Sequence, residues 1–99
     1  MRLRPQTRIA RKEGLIVESL SGETVMLDPE GDRYLRLNAT GGMLWQALDE
    51  PRTLGELGEH LAARTGIEPE RAAVDASAFA EGLLDLGAAR IEDEGSGRA

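Results

Sequence analysis

The spacing of apolar residues changes in the middle of GDRYLRLNATGGMLW, residues 31–45 of the chain. Across residues 33–37, Leu35 and Leu37 alternate with more polar neighbours, which is the period of a half-buried β-strand. After Asn38 the apolar residues recur at helical spacing, and Asn38 is a favourable N-cap because its side-chain oxygen can accept a hydrogen bond from a backbone N–H. The pattern therefore predicts a strand that leads directly into a helix.

Two segments upstream of this strand also have the composition of strands. LIVESL at 15–20 and ETVMLD at 23–28 are rich in β-branched and apolar residues. Ser21 and Gly22 between them fit a two-residue hairpin loop, and PEGD at 29–32 has turn chemistry. We therefore expect a three-stranded antiparallel meander.

A first helix is expected directly after the meander. It should cover residues 39–49 and end before Pro51, because proline cannot continue a helix. Gly41 and Gly42 weaken a helix, by roughly 1 kcal/mol each relative to alanine. Their presence indicates close approach of another backbone.

Two more helices have clear start and stop signals. Thr53 and Glu56 form a capping box at the start of the second helix, and Gly66 is a stop signal at its end. Pro69 lies where the first residue of a third helix is expected, and Gly87 closes that helix. The predicted class is α+β, winged-helix-like, with a three-stranded antiparallel sheet followed by three helices.

The third helix carries two stripes at a spacing of 100° per residue. The stripe expected to face the core contains Ala72, Ala76, Phe79, Leu83 and Leu86. The other contains the small residues Val74, Ala78 and Gly82, flanked by Arg71, Asp75 and Asp85. The small residues fit either a shallow trough or a helix flank that tolerates small side chains.

Charge is unevenly distributed along the 99 residues, whose formal net charge is −6. Residues 1–12 hold five basic groups and no acid, whereas the other 87 carry 7 basic and 18 acidic groups. Residues 1–14 are predicted to be either a solvated basic arm, able to touch an acidic partner or RNA, or an early strand at 7–12. The acidic body disfavours nucleic-acid binding. One domain is expected at 15–91, followed by a disordered acidic tail at 92–99.

Several kinds of chemistry lack the residues that they require. The chain has no cysteine and only one histidine, His60, so neither a thiolate nor a multi-histidine metal site is expected. No nucleophile elbow, phosphate-binding loop or buried carboxylate pair is apparent. No apolar run approaches the roughly 18 residues of a membrane span. We expect a cytoplasmic, non-catalytic protein without a metal, a cofactor or a membrane contact.

The order of these elements resembles the PqqD-like family, whose members are called RiPP recognition elements. The resemblance covers residues 15–91. Its main parts are GDRYLRLNATGGMLW, RTLGELGEHLAARTGI and VDASAFAEGLLDLGAARI, the last with Asp75 and Phe79 at the spacing of the family. Alanine stands at 76 and 80, where the family usually has larger aliphatic residues, so the face of the third helix should be shallower here.

The resemblance implies a module that binds the leader segment of a ribosomally made precursor peptide. Family members hold the leader as an extra strand on the third strand, with its side chains in a trough beside the third helix. The residues implied for leader binding are Arg33, Tyr34, Leu35, Arg36, Leu37, Arg71, Val74, Asp75, Ala78, Phe79 and Gly82.

RYLRLNATGGMLW is most similar to stand-alone leader-binding proteins of lasso-peptide biosynthesis, which act as peptide chaperones. Their partners are a leader peptidase and an ATP-dependent cyclase. A carrier from a pyrroloquinoline quinone or mycofactocin pathway would have a similar sequence, so that alternative stays open.

The residues support peptide binding by a separate route. If Leu35 and Leu37 face the helices, one edge of their strand is unpaired, and no proline blocks it. A winged-helix transcription factor is the first alternative, but its third helix should be basic, and here Arg71 is outnumbered by acids. The second is a structural subunit whose edge pairs with itself, so we expect a monomer or a weak homodimer.

Overall fold

The computed structural model describes residues 3–31 and 33–92, and within them it contains six strands and three helices. In chain order these are β1 (Arg8–Arg11), β2 (Ile16–Leu20), β3 (Glu23–Asp28), β4 (Arg33–Leu37), α1 (Ala39–Ala47), β5 (Arg52–Thr53), α2 (Leu54–Thr65), α3 (Pro69–Leu86) and β6 (Ala89–Ile91). The predicted α+β class is confirmed. The predicted tail, apart from Glu92, lies outside the described residues, as do Met1, Arg2 and Asp32.

The first sheet is the predicted meander, with strand order β2-β3-β4. Ser21 and Gly22 connect β2 to β3 with φ angles of 49° and 83°. Positive φ at both central positions is the requirement of a type I′ turn, whose twist matches that of the flanking strands. Met26 lies opposite Leu35, and Thr24 lies opposite Leu37. These pairs place both leucines of β4 on the inner face of the sheet.

The second sheet was not predicted. β1 lies at its centre, between β5 and β6, and all its pairings are antiparallel. The strand alternative for residues 7–12 is therefore the one observed, although β1 does not join the meander. Ile9 is 0% exposed in this sheet. β5 and β6 have two and three residues, too few to show a period in the sequence.

The helix signals coincide with the observed ends. Thr53 accepts a hydrogen bond from the Glu56 N–H, and the Glu56 carboxylate accepts one from the Thr53 N–H, which completes the capping box. α2 ends at Gly66 and α3 at Gly87, both with positive φ. α1 is shorter than predicted and ends at Ala47.

The core lies between the two sheets and the helices. Its largest fully buried side chains are Ile9, Met26, Leu44, Leu48, Leu57, Leu61 and Leu83. On α3 the buried face differs from the prediction: Ala80 is fully buried, whereas Phe79 and Leu86 are only partly buried. The face is turned toward α2, where an ideal Cβ on Gly58 would lie 3.5 Å from Cα of Ala73. Small residues therefore permit close packing of α2 on α3.

The basic residues at the end of β1 form contacts with other elements of the fold. Arg11 stacks on Trp45 of α1, with 4.3 Å from Cζ to the ring centroid, and donates a hydrogen bond to the Trp45 carbonyl. Lys12 Nζ lies 2.8 Å from Oδ2 of Asp28, which is only 4% exposed. These contacts connect the N-terminal strand to α1 and to the end of β3. Within the described residues, no helix has the length and apolarity needed to cross a membrane.

We expect Asp28→Asn to reduce the loss of stability in acid. The pKa of Asp28 lies below its ordinary value, chiefly because Lys12 donates a hydrogen bond to the carboxylate. A depressed pKa stabilises the fold above the unfolded-state value of about 3.9, and that contribution disappears as the pH falls through the folded-state value. Urea unfolding from about pH 7 to pH 2 should show a smaller acid loss in the variant.

Asp85→Asn is the control for this measurement, because Asp85 is an exposed carboxyl on α3. It should keep the acid loss of the wild-type protein. Equal acid loss in all three proteins would contradict a stabilising role for the Lys12–Asp28 pair.

Candidate functional site

A groove of about 530 Å³ lies between the end of β4, the start of α1 and residues 71–79 of α3. Its lining residues are Arg36, Leu37, Asn38, Thr40, Gly41, Leu44, Arg71, Asp75, Ala78 and Phe79. The two walls of the groove therefore come from separate segments of the sequence, residues 36–44 and residues 71–79.

The junction of β4 with α1 forms one wall of the groove. The Asn38 side chain accepts a hydrogen bond from the Gly41 N–H at 2.8 Å, so the helix begins immediately after the strand. A Cβ on Gly41 would lie 3.1 Å from Cβ of Leu37, and one on Gly42 would lie 2.7 Å from Oγ1 of Thr24. The prediction that these glycines approach another backbone was wrong: they make room for side chains of the meander.

The opposite wall of the groove is the exposed side of α3. Ala78 and the partly buried Phe79 supply apolar surface. Arg71 Nε lies 3.3 Å from Oδ1 of Asp75, one helical turn away, and the Arg71 side chain is 71% exposed. An exposed pair of this kind contributes at most about 1 kcal/mol, so either partner can exchange it for another charge at low cost.

The outer edge of β4 runs beside this groove. β4 pairs with β3 on one side, and no described residue pairs with it on the other. Tyr34 is 64% exposed on the outer face. Arg36 Nη2 lies 2.7 Å from Oε1 of Glu23, and this hydrogen bond raises the pKa of Arg36 above its ordinary value. The outer edge of β4 thus offers backbone groups that have no strand partner among the described residues.

Six of the eleven residues implied for leader binding line the groove, namely Arg36, Leu37, Arg71, Asp75, Ala78 and Phe79. Tyr34 and Leu35 lie on β4 outside the lining, and Arg33 donates a hydrogen bond to the Leu86 carbonyl. Of the small-residue stripe only Ala78 lines the groove. Val74 is 63% exposed in a second depression on the far flank of α3, and the space around the Cα of Gly82 is open.

Four lining residues were missed by sequence reasoning: Asn38, Thr40, Gly41 and Leu44. The Asn38 cap was the signal that could have found them. A helix that begins directly after an edge strand has its first turn beside the end of that strand.

His60 lies away from the groove, in a polar cavity of about 330 Å³ between α1 and α2. Across residues 3–31 and 33–92, no three His, Cys, Asp or Glu side chains are grouped so as to hold a metal ion.

The model of the family described as coenzyme PQQ synthesis protein D (PqqD) matches residues 23–88. This range runs from β3 past the end of α3 and includes both walls of the groove. The chain belongs to the PqqD family. The resemblance stated from the sequence is thereby confirmed. No curated protein matches the chain.

A solved structure has the same fold as this PqqD-family protein. It is described as TbiB1 in complex with the TbiA(beta) leader peptide. The TM-score is 0.72 at 19% sequence identity, over 85% of this chain and 95% of TbiB1. At that identity the likeness establishes the arrangement of the strands and helices.

We expect Gly41→Ala to lower the melting temperature, although alanine is the better helix former. The gain in helix propensity is at most about 1 kcal/mol, whereas crowding a packed site costs about 1–3 kcal/mol. Gly82→Ala is the matched control, since no heavy atom lies within 4 Å of its ideal Cβ. It should raise the melting temperature. Thermal unfolding that shows both variants stabilised would contradict tight packing of α1 on β4.

Proposed function

We propose that this PqqD-family protein binds the leader segment of a ribosomally synthesised precursor peptide as an added strand on β4. The observation that carries the proposal is the unpaired outer edge of β4 beside a groove walled by α3. The protein itself performs no catalysis in this role. It is a RiPP recognition element that presents the leader to modifying enzymes.

The backbone of β4 is suited to strand addition. Proteins usually block an exposed edge with a proline, a bulge or inward charges. Residues 33–37 contain no proline, and their Leu35 and Leu37 side chains face the core. A peptide can therefore form a ladder of backbone hydrogen bonds there, while pockets select its alternate side chains.

The groove is suited to one apolar side chain of the added strand. Leu37 and Leu44 lie beneath the groove, 8% and 0% exposed, and the partly buried Phe79 supplies apolar surface at its wall. Burial of a leucine-sized side chain contributes about 1.5–3 kcal/mol. Arg71 and Asp75 at the rim can orient charged groups on either side of that anchor.

The fold comparison supports the same function. TbiB1 shares the fold over 85% of this chain, and its structure is of a complex with a leader peptide.

Lasso-peptide biosynthesis is the pathway that we propose, with a leader peptidase and an ATP-dependent cyclase as partners. The runner-up is a carrier in redox-cofactor biosynthesis, which the description of the matched family favours. A transcription factor is disfavoured because α3 has one basic residue, Arg71, among several acids. A cytoplasmic location and a monomeric or weakly dimeric state stay predictions, and sedimentation with and without peptide would test the latter.

Strand addition predicts an alternating response to N-methylation of a leader peptide that the protein binds. In an antiparallel ladder only alternate residues direct their N–H and C=O toward a given neighbour. Methylation of every second amide along the contact segment should weaken binding by about 1 kcal/mol or somewhat more, and the amides between them should be nearly insensitive. Calorimetric titration of the methylated series measures this.

A helical leader would give a different profile. Its amides bond internally, so sensitivity would follow side chains spaced i, i+3 and i+4. That profile, or a uniform one, would contradict strand addition. Absence of binding by the unmethylated leader would contradict leader recognition itself.

We expect Asp75→Ala to weaken leader binding about two- to fivefold more than Asp85→Ala. Asp75 lines the groove, whereas Asp85 is an exposed carboxyl farther along the same helix and outside the lining. The two variants remove the same charge from α3, so the net-charge effect cancels in the comparison. Equal small losses of affinity in the two variants would show that the charge of Asp75 does not contribute to leader binding.

A further inference from the structure

Arg33 connects the two walls of the β4–α3 cleft at the end away from the groove. Its Nη2 donates a hydrogen bond to the Leu86 carbonyl at 2.6 Å, across 53 positions of sequence. Arg33 is the first residue of β4, and Leu86 is the last residue of α3. The strand and the helix therefore run in opposite directions, with a bridge at one end and the groove at the other.

The end of α3 receives this bridge from another element. The last carbonyls of a helix lack partners within it, and the negative end of its dipole favours a cation. Gly87 N–H donates to the Leu84 carbonyl and Ala88 N–H to the Leu83 carbonyl. α3 has no basic residue in its last turn. Arg33 supplies both the cation and a hydrogen bond to the Leu86 carbonyl.

The Arg33–Leu86 bridge and the groove lie at opposite ends of the space between β4 and α3. Neither Arg33 nor Leu86 lines the groove, whose α3 residues run from Arg71 to Phe79. Leu86 lies seven residues beyond Phe79, about 10 Å along the helix axis. A side chain docked in the groove would therefore not touch Arg33, so any effect of Arg33 on that side chain would act through the position of α3.

We propose that Arg33 is a positioning residue that sets the width of the leader groove and thereby the size of the side chain that it admits. The proposal rests on the proposed function for its ligand. It assigns Arg33 a role through α3 rather than through contact with the leader. Loss of the bridge changes none of the lining residues, but it lets α3 move away from β4 and so widens the groove.

The first test needs no peptide. Amide hydrogen exchange of the free protein should be faster in the capping turn that follows α3, at Gly87 and Ala88, in Arg33→Ala than in the wild type. Arg90→Ala is the matched control, because Arg90 makes the same kind of bond, Nη1 to the Arg11 carbonyl at 2.9 Å, in the other sheet. It should leave exchange in that turn unchanged. Unchanged exchange in Arg33→Ala would overturn the proposal.

The second test measures selectivity with two leader peptides that carry leucine or tryptophan at the anchor position. The wild-type protein and Arg90→Ala should show the same preference for one peptide over the other. Arg33→Ala should bind the leucine peptide about tenfold more weakly and lose most of the preference. Arg33→Lys should restore part of it, since an ammonium group can also donate to the Leu86 carbonyl.

The outcomes separate this proposal from the proposed function. If wild-type protein binds neither peptide, leader recognition fails, and the exchange measurement alone decides whether Arg33 holds α3. If it binds the leucine peptide and Arg33→Ala keeps the full preference, leader recognition stands and the width-setting role is overturned. Equal loss of affinity in Arg33→Ala and Arg90→Ala would also overturn it, because general stability would then explain both.

Discussion

The direct passage from β4 into α1 at Asn38 is the constraint on which the groove depends. Asn38 ends the strand and caps the helix, so no linker lets the edge of the sheet move relative to the helices. The close approach of Gly41 to Leu37 reinforces this junction. The edge of β4 can serve as a docking site only if its position relative to α3 is fixed. Asn38 fixes it, because this one residue ends β4 and caps α1.

The opposing wall is held by packing and by contacts between distant parts of the chain. Buried alanines and Gly58 allow α3 to lie close against α2, and Arg33 connects the C-terminal end of α3 back to β4. The second sheet places β1 between two very short strands, which secures the N-terminal segment over the core. The groove is therefore a consequence of the whole domain, although six of its ten lining residues come from the short stretch 36–44.

Electrostatics around the groove differ from those of the molecule as a whole. The chain is acidic, yet β4 carries Arg33 and Arg36 and no acid. Arg36 and Arg71 each have a carboxylate partner at the surface, Glu23 and Asp75. Such exposed pairs contribute little to stability, which leaves these guanidinium groups able to rearrange when a ligand enters. Under the proposed function, the affinity for a leader would rest mainly on backbone ladder bonds and on burial of an apolar side chain.

The sequence by itself determined the elements whose signals are local. The meander, the capping box at Thr53, the ends of α2 and α3, and the Asn38 cap each depend on neighbours within a few residues. The PqqD family was also recognisable, because the order and spacing of those elements define it. Six lining residues could be named on that basis.

Only the tertiary structure decided the features that depend on residues far apart in the chain. β5 and β6 are too short to show an alternation of apolar and polar residues. They are strands because each forms backbone hydrogen bonds with one edge of β1. The buried face of α3 turned toward α2, so Ala80 rather than Phe79 is fully buried and Phe79 faces the groove. Val74 and Gly82 lie outside the groove for the same reason, since the rotation of a helix is set by what packs against it. The partners of Arg11, Lys12 and Arg33 likewise follow from long-range proximity, which local sequence patterns do not encode.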